Sequence, residues 1–398
     1  MSANSPAAVA AAQIPPKTHL ERAREIAPLI RENAEKIHEE RELPRTVFEA
    51  LADAGLFHMV VPRGIGGAEL DLPAYVRVLE EIGRADASTG WAVNQGGTFG
   101  SFAARMQRDV ARAIWIDTPR SVVANTPGPT SKAVPVPGGY RVTGRGPFST
   151  GCKHSSWIAA NGQIIENGEA RQRNGQPETR YFLIPVAQVE LLDTWRTRGM
   201  RGTGTHTFEV KDVFVPEERT VFVRGAPAVT GGPRYQIPIT LGFACGDAAV
   251  ALGVAHTCMN AFFELAGSKT PRYVTGLLRE QPVVQFAIGK AEAALRSGRA
   301  FLMEAVEQLW NEVSATGALT LDQRANLRIA STHAIRLAEE IVDSVYRACG
   351  ATAVFESHPI QRYFQDIHVI TQHVQGRLSH YELVGQHWLG MQIDETRL

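Results

Sequence analysis

Trp195–Thr220 reads WRTRGMRGTGTHTFEVKDVFVPEERT, and its second half alternates around Phe208, Val210 and Val213, the period of a strand with one buried face. The same character runs back to about Arg120. There SVVANTPGPTSKAVPVPGGYRVTGRGPFST is rich in Pro, Gly and β-branched residues, with Gly138-Gly139 turning into the alternating YRVTG. WIAANGQII and RYFLIPV are two further strand candidates, and the polar ENGEARQRNGQPET between them predicts an exposed hairpin loop. On either side of this β segment the period changes to that of helices.

Upstream, Leu20, Ala23, Ala27, Ile30, Ala34 and Ile37 recur at three- and four-residue steps and predict one amphipathic helix from Thr18 to Glu40. A helix over Pro44–Ala54 has Pro at its start and Gly55 as its stop. Another, Leu72–Arg84, is opened by Asp71 and Pro73, and Asp86 caps the next. Gly64, Gly66 and Gly67 lack a strand-loop-helix setting and read as a turn rather than a phosphate cradle. STGWAVNQGGTFGSF, Ser88–Phe102, sets Trp91, Asn94, Phe99 and Phe102 among small residues. These either let two helices approach closely or leave room for a flat ligand.

Downstream, Phe243–Leu265 is apolar nearly all round, the mark of a buried helix, while Val283–Trp310 and Leu321–Cys349 are amphipathic and Gly350 ends the latter. The expected fold is mostly α with a central β domain. A tail at 1–17 is expected to be disordered, followed by an N-terminal helical domain over 18–120, a β-barrel or sandwich over 121–235 and a C-terminal four-helix bundle over 236–398.

Forty-one acidic and 41 basic side chains cancel, leaving no electrostatic footprint for nucleic acid or an anionic membrane. No run approaches about 20 uninterrupted apolar residues, and MSANSPAAVAAAQIPP, without Lys or Arg, is unlike a signal or transit peptide. Cys152, Cys245, Cys258 and Cys349 have neither CxxC nor metal-like spacing and fit buried thiols in a reducing compartment. A cytoplasmic enzyme of small-molecule chemistry is expected, with no metal. HPIQRYFQDIHVITQHVQG, His358–Gly376, is where the chemistry is expected: it delivers His368 and His373 with no carboxylate beside His373. Taken alone, two histidines read more readily as satisfied structural residues.

Taken together, these segments resemble the acyl-CoA dehydrogenase superfamily from about Leu20 to the end. GLFHMVVPRGIGGAELDLPAYVRVLEEIGRAD matches its Gly-rich loop and following helix, and Trp195–Thr220 its last β-domain strand. PFSTG, Pro147–Gly151, stands where the family's Trp-x-Thr-Asn contacts the flavin. The dehydrogenase features are missing. Val374 occupies the place of the catalytic Glu, and the alternative base position, in Gly242-Phe243-Ala244, holds no acid. Asn125–Ser131 replaces the Thr-Glu-Pro signature, and Arg279–Phe286 does not reproduce the Arg-x-x-Phe-Gly segment that grips the adenylate half of FAD. Asp247, one turn further on, is the one nearby acid, expected to make a helix-internal hydrogen bond rather than to serve as a substitute base.

Gln361-Arg362-Tyr363, Asp366, His368 and His373-Val374 instead resemble the two-component, group D flavin-dependent monooxygenases built on this fold. The resemblance implies an oxygenase component that uses reduced flavin and O2, through a C4a-hydroperoxyflavin, on a small aromatic or heterocyclic substrate. It makes His373 catalytic and gives Thr150 the flavin N5. Phe148, Ser149, Gly151, Asn125 and Val374 complete the flavin contacts, and Trp91, Asn94, Phe99 and Phe243 the substrate pocket. FMN is favoured over FAD. With no G-x-G-x-x-G between strand and helix, a separate NAD(P)H:flavin reductase is expected, and a homotetramer. The alternatives are a dehydrogenase or oxidase of the same fold, or a silent helical partner.

Overall fold

A computed structural model describes residues 17–222 and 228–398; the expected disordered tail falls, save Lys17, outside the described residues. Six helices come first: α1 (His19–Glu32), α2 (Ala34–Glu40), α3 (Arg45–Asp53), α4 (Leu72–Ala85), α5 (Ala87–Thr98) and α6 (Arg108–Trp115). A 3-10 run, Phe99–Arg105, continues α5. The single helix expected over Thr18–Glu40 is broken. Asn33 leaves helical geometry and turns its side-chain amide back onto the Leu29 carbonyl at 2.9 Å, the competition with the backbone that Asn offers inside helices. Asp71 and Asp86 cap α4 and α5 as expected, accepting from the amides of Ala74 and Thr89.

The strands follow: β1 (Val123–Asn125), β2 (Ser131–Val136), β3 (Gly139–Ser149), β4 (Trp157–Glu166), β5 (Glu169–Ala170), β6 (Gln172–Arg173), β7 (Gln176–Pro177), β8 (Thr179–Pro185), β9 (Glu190–Leu192), β10 (His206–Pro216) and β11 (Thr220–Phe222). The main sheet runs β11-β8-β4-β2-β3-β10-β9, with β1 and β5 also on β4. It is mixed, because β1 and β2 pair parallel to β4 while the other neighbours are antiparallel. The expected loop after β4 is instead two tight hairpins. Asn167-Gly168 and Asn174-Gly175 take positive φ at both positions, the turn that Asn-Gly favours between antiparallel strands. Phe182, Phe208 and Val210 fill the core of this unit.

The last part is α7 (Ile239–Ser268), α8 (Pro282–Thr316), α9 (Leu321–Cys349), α10 (Pro359–Ile370) and α11 (Ser379–Trp388). By length and composition α7 could cross a membrane, but 78% of its most apolar window is buried in the fold. It packs closely on α4: a Cβ at Gly253 would lie 2.7 Å from the backbone of Glu80 and Arg84. The small residues of α4, α5 and α7 thus serve close helix packing, and one apolar core runs through both helical parts. All four cysteines are buried thiols.

Asp366 ties α10 to the lead-in of β10 by accepting the Met200 amide at 2.6 Å. Burial, reinforced by Asp86, pushes its carboxyl up to about 7, against the Met200 amide and Arg362. The folded state therefore holds a proton that the unfolded chain has released, and stability falls as pH rises from about 4 through about 7. Asp366→Asn keeps an acceptor without the charge. The variant should be more stable than the parent above neutrality, by about 1–3 kcal/mol, and the gap should close near pH 4; thermal melts across that range decide it.

Candidate active site

A cavity of about 510 Å³ opens where the end of α5, the 3-10 run after it, the start of α7, the end of β1 and the turn after α10 meet. Phe99, Phe102, Tyr181 and Phe243 make one wall, with rings tilted or edge-on to Phe99 and centroids 4.7 to 5.8 Å from it, the geometry aromatic quadrupoles prefer. Gln95, Asn125, Thr126, His373 and Val374 also line it, and among the described lining residues there is no Asp or Glu. A second cleft, about 440 Å³, is walled by charged residues such as Glu35, Arg198 and Arg362 and holds none of the expected site residues.

His373 stands between the end of α10 and a 3-10 turn, Val374–Gly376. That turn is pinned from behind by α9. Arg328, buried and pushed down to about 10 by burial, bonds the Gln375 side chain; Thr332 donates to the Gln375 carbonyl, and Arg336 to the carbonyls of Gly376 and Thr371. Backbone groups that a tight turn leaves unmatched are satisfied in this way, and the imidazole is set in one place.

Its Nδ1 lies 3.0 Å from Oδ2 of Asp247, a residue with no exposed surface. The pair is at ion-pair distance but off hydrogen-bond angle, and neither atom has another hydrogen-bond partner among the described residues. The expectation of no carboxylate beside His373 therefore holds only along the chain. In space α7 supplies one, and Asp247 makes contacts between helices rather than a helix-internal bond. Its Oδ1 accepts from Asn94 Nδ2 at 2.7 Å and Gln95 Nε2 at 3.3 Å. Asn94 Oδ1 in turn accepts from the buried Tyr75 hydroxyl at 2.8 Å. Gly246 makes this possible, since a Cβ there would sit 2.2 Å from Asn94 Oδ1. Trp91 meets the imidazole edge-on at 5.0 Å.

His373, Val374, Asn125, Phe99 and Phe243 thus share the cavity, whereas Trp91 and Asn94 support His373 and Asp247 from outside its lining. His368 lies elsewhere, its Nδ1 on the Phe364 carbonyl and its Nε2 3.5 Å from Asp343. Phe148, Ser149, Thr150 and Gly151 form a separate edge at the end of β3. Phe148 is 59% exposed with φ +57°, and Ser149 Oγ is buried without a partner. Gly151, at φ +68°, has nothing within 4 Å of where a side chain would project. Thr150 Oγ1 meets Thr205 Oγ1 at 3.0 Å, which meets Thr203 Oγ1 at 2.6 Å, and that hydroxyl donates to the Met200 carbonyl. An exposed ring, an orphaned hydroxyl and open space over a glycine fit a flat heterocycle with polar edges. The sequence reading missed Gln95, Tyr181 and the α9 anchors. Arg328, Thr332 and Arg336 are spaced by four, a stripe on one helix face that was legible.

Residues 20–108 match the family model described as the acyl-CoA dehydrogenase N-terminal domain, and residues 245–377 that of the C-terminal domain. The chain is 33% identical over 357 residues to an indole-3-acetate monooxygenase of Pseudomonas putida, covering 89% of each. It is 25% identical over 384 residues to an FADH2-dependent resorcinol hydroxylase, oxygenase component, of a Rhizobium species, covering 92% of this chain and 93% of that one. The crystal structure of 3-HSA hydroxylase from Rhodococcus sp. RHA1 superposes with a TM-score of 0.87 at 25% identity, over 96% of this chain and 99% of that one. The chain belongs to the acyl-CoA dehydrogenase superfamily, in its flavin-dependent monooxygenase branch.

Proposed function

We propose that the protein is the oxygenase component of a two-component flavin-dependent monooxygenase acting on a small aromatic or heterocyclic substrate. One observation carries this: an imidazole backed by a buried carboxylate faces a cavity whose described lining holds no acid. Removal of a proton α to a thioester needs a base within hydrogen-bond reach, and Asp247 lies behind His373 with Oδ1 engaged by two amides. Neither the dehydrogenase nor the silent-partner alternative has an observation in its favour.

Reduced flavin, when bound, supplies the electrons that let dioxygen react with a closed-shell substrate. Phe148, Ser149, Thr150, Gly151, Asn125 and Val374 would hold it. Asp247 favours a proton on His373 Nδ1, which leaves Nε2 to hold or move a proton in the cavity, and the aromatic wall excludes water there. The missing Arg-x-x-Phe-Gly segment favours FMN, while the resorcinol hydroxylase relative is named for FADH2. That relative's designation as an oxygenase component, and the lack of a pyridine nucleotide motif, support a separate NAD(P)H:flavin reductase. Exposed Phe263, Tyr273, Val283 and Phe286 support a homotetramer, and the free thiols support a cytoplasmic setting.

The protein, given reduced flavin and labelled dioxygen, should place one labelled atom in an aromatic product; a desaturated product without label defeats the reading. Thr150→Ala should raise the share of flavin oxidised to free hydrogen peroxide about 3- to 10-fold, on the order of one lost hydrogen bond. A peroxide assay reads this directly, and unchanged coupling removes Thr150 from the flavin edge.

A further inference from the structure

We infer that Gln95 reads the substrate: its side-chain carbonyl accepts a hydrogen bond from a ring N–H or phenolic O–H on the aromatic ring system that is oxygenated. This rests on the cavity being the substrate chamber.

Gln95 lies one helical turn before Phe99, so amide and ring come off one face of α5 and its 3-10 continuation, and both border the cavity. The neighbouring amides of Asn94 and Gln95 both reach Asp247 Oδ1, at 2.7 and 3.3 Å. Asn94 is used at both ends. Its Nδ2 also reaches the Phe243 carbonyl at 3.3 Å, and its Oδ1 accepts from the hydroxyls of Tyr75 and Thr98 at 2.8 and 3.3 Å. Gln95 is used at one end only. A carboxylate oxygen accepts and does not donate, so the amide must turn Nε2 to Asp247, and Oε1 is the end that remains. That oxygen has no donor among the described residues, on a side chain that is 7% exposed and borders the cavity.

Two other side-chain amides line the chamber. The Gln375 oxygen is taken by Arg328, and Asn125 is among the residues proposed to hold the flavin. With no Asp or Glu among the described lining residues, Gln95 Oε1 is the amide acceptor left for the substrate. A site built around such a bond rejects the analogue that lacks the donor, because the acceptor is then desolvated without a partner. The bond also lends electron density to a ring that bears its own N–H or O–H, and an electron-rich ring is the better target for oxygen transfer. Since the same amide is tied to Asp247, which stands 3.0 Å from His373, recognition of the donor seats the ring beside the imidazole.

The test compares indole with benzofuran, the same bicycle with a ring oxygen in place of N–H, by anaerobic equilibrium binding to the flavin-loaded full chain. Indole should bind about 5- to 100-fold more tightly, the range for an acceptor matched rather than stranded. Gln95→Met keeps the length of the side chain without the acceptor and should bring the two ligands level. If Gln95 served only to hold Asp247, the variant would keep the preference for indole, and that result overturns the assignment. Equal binding of the two ligands to the parent also overturns it, needs no variant to fold, and leaves the chamber reading intact. If neither bicycle binds, the chamber reading falls and takes the inference with it.

Discussion

His373→Ala should bind reduced flavin as the parent does and oxygenate its substrate about 10²- to 10⁴-fold more slowly, the range for losing an acid/base or electrostatic group. The ring is the titratable group that the cavity receives from the turn after α10. The turn itself is held by Arg328, Thr332 and Arg336 through Gln375 and backbone carbonyls, not through His373. The hydroxyl chain Thr150–Thr205–Thr203 at the end of β3, proposed to hold the flavin, is equally independent of the ring. Single-turnover oxygenation under saturating reduced flavin is the measurement, and a parental rate would remove His373 from the chemistry.

Asp247→Asn is expected to cost about 10- to 10³-fold in kcat with KM little changed. The amide keeps the shape and can still accept from Asn94 and Gln95, but it turns an N–H rather than an anion toward Nδ1. That favours the other tautomer and withdraws support from the imidazolium, the effect described for an Asp behind a catalytic His. Asp247→Ala is the poorer experiment, since it strands two buried amides and confounds stability with rate. The double variant His373→Ala, Asp247→Asn separates positioning from independent action. If Asp247 acts through the ring, the double variant is no slower than His373→Ala alone; additive losses in kcat would mean that it acts on its own.

Much of the fold was open to reading because its signals are local. Strand alternation around Phe208, the caps Asp71 and Asp86 and the stop at Gly350 each operate within a few residues, and the structure has all of them. The break at Asn33 and the two Asn-Gly hairpins were also local but were passed over, the first hidden by a continuous apolar stripe and the others by polarity that suggested a loop. The site divides in the same way. The absence of an acid at 374 was legible. The partner of His373 was not, because Asp247 comes from a different helix and only tertiary packing brings it to 3.0 Å.

The tethering of the 371–376 turn to α9 has an evolutionary corollary. The turn that carries His373 is anchored from α9, while the aromatic lining of the cavity comes from the α5 end, β8 and the start of α7. The two are linked through Asp247 and its amide donors Asn94 and Gln95, and otherwise rest on different stretches of chain. Exchanging Phe99, Phe102 or Phe243 would thus reshape the cavity without removing a side-chain contact that anchors the turn of His373.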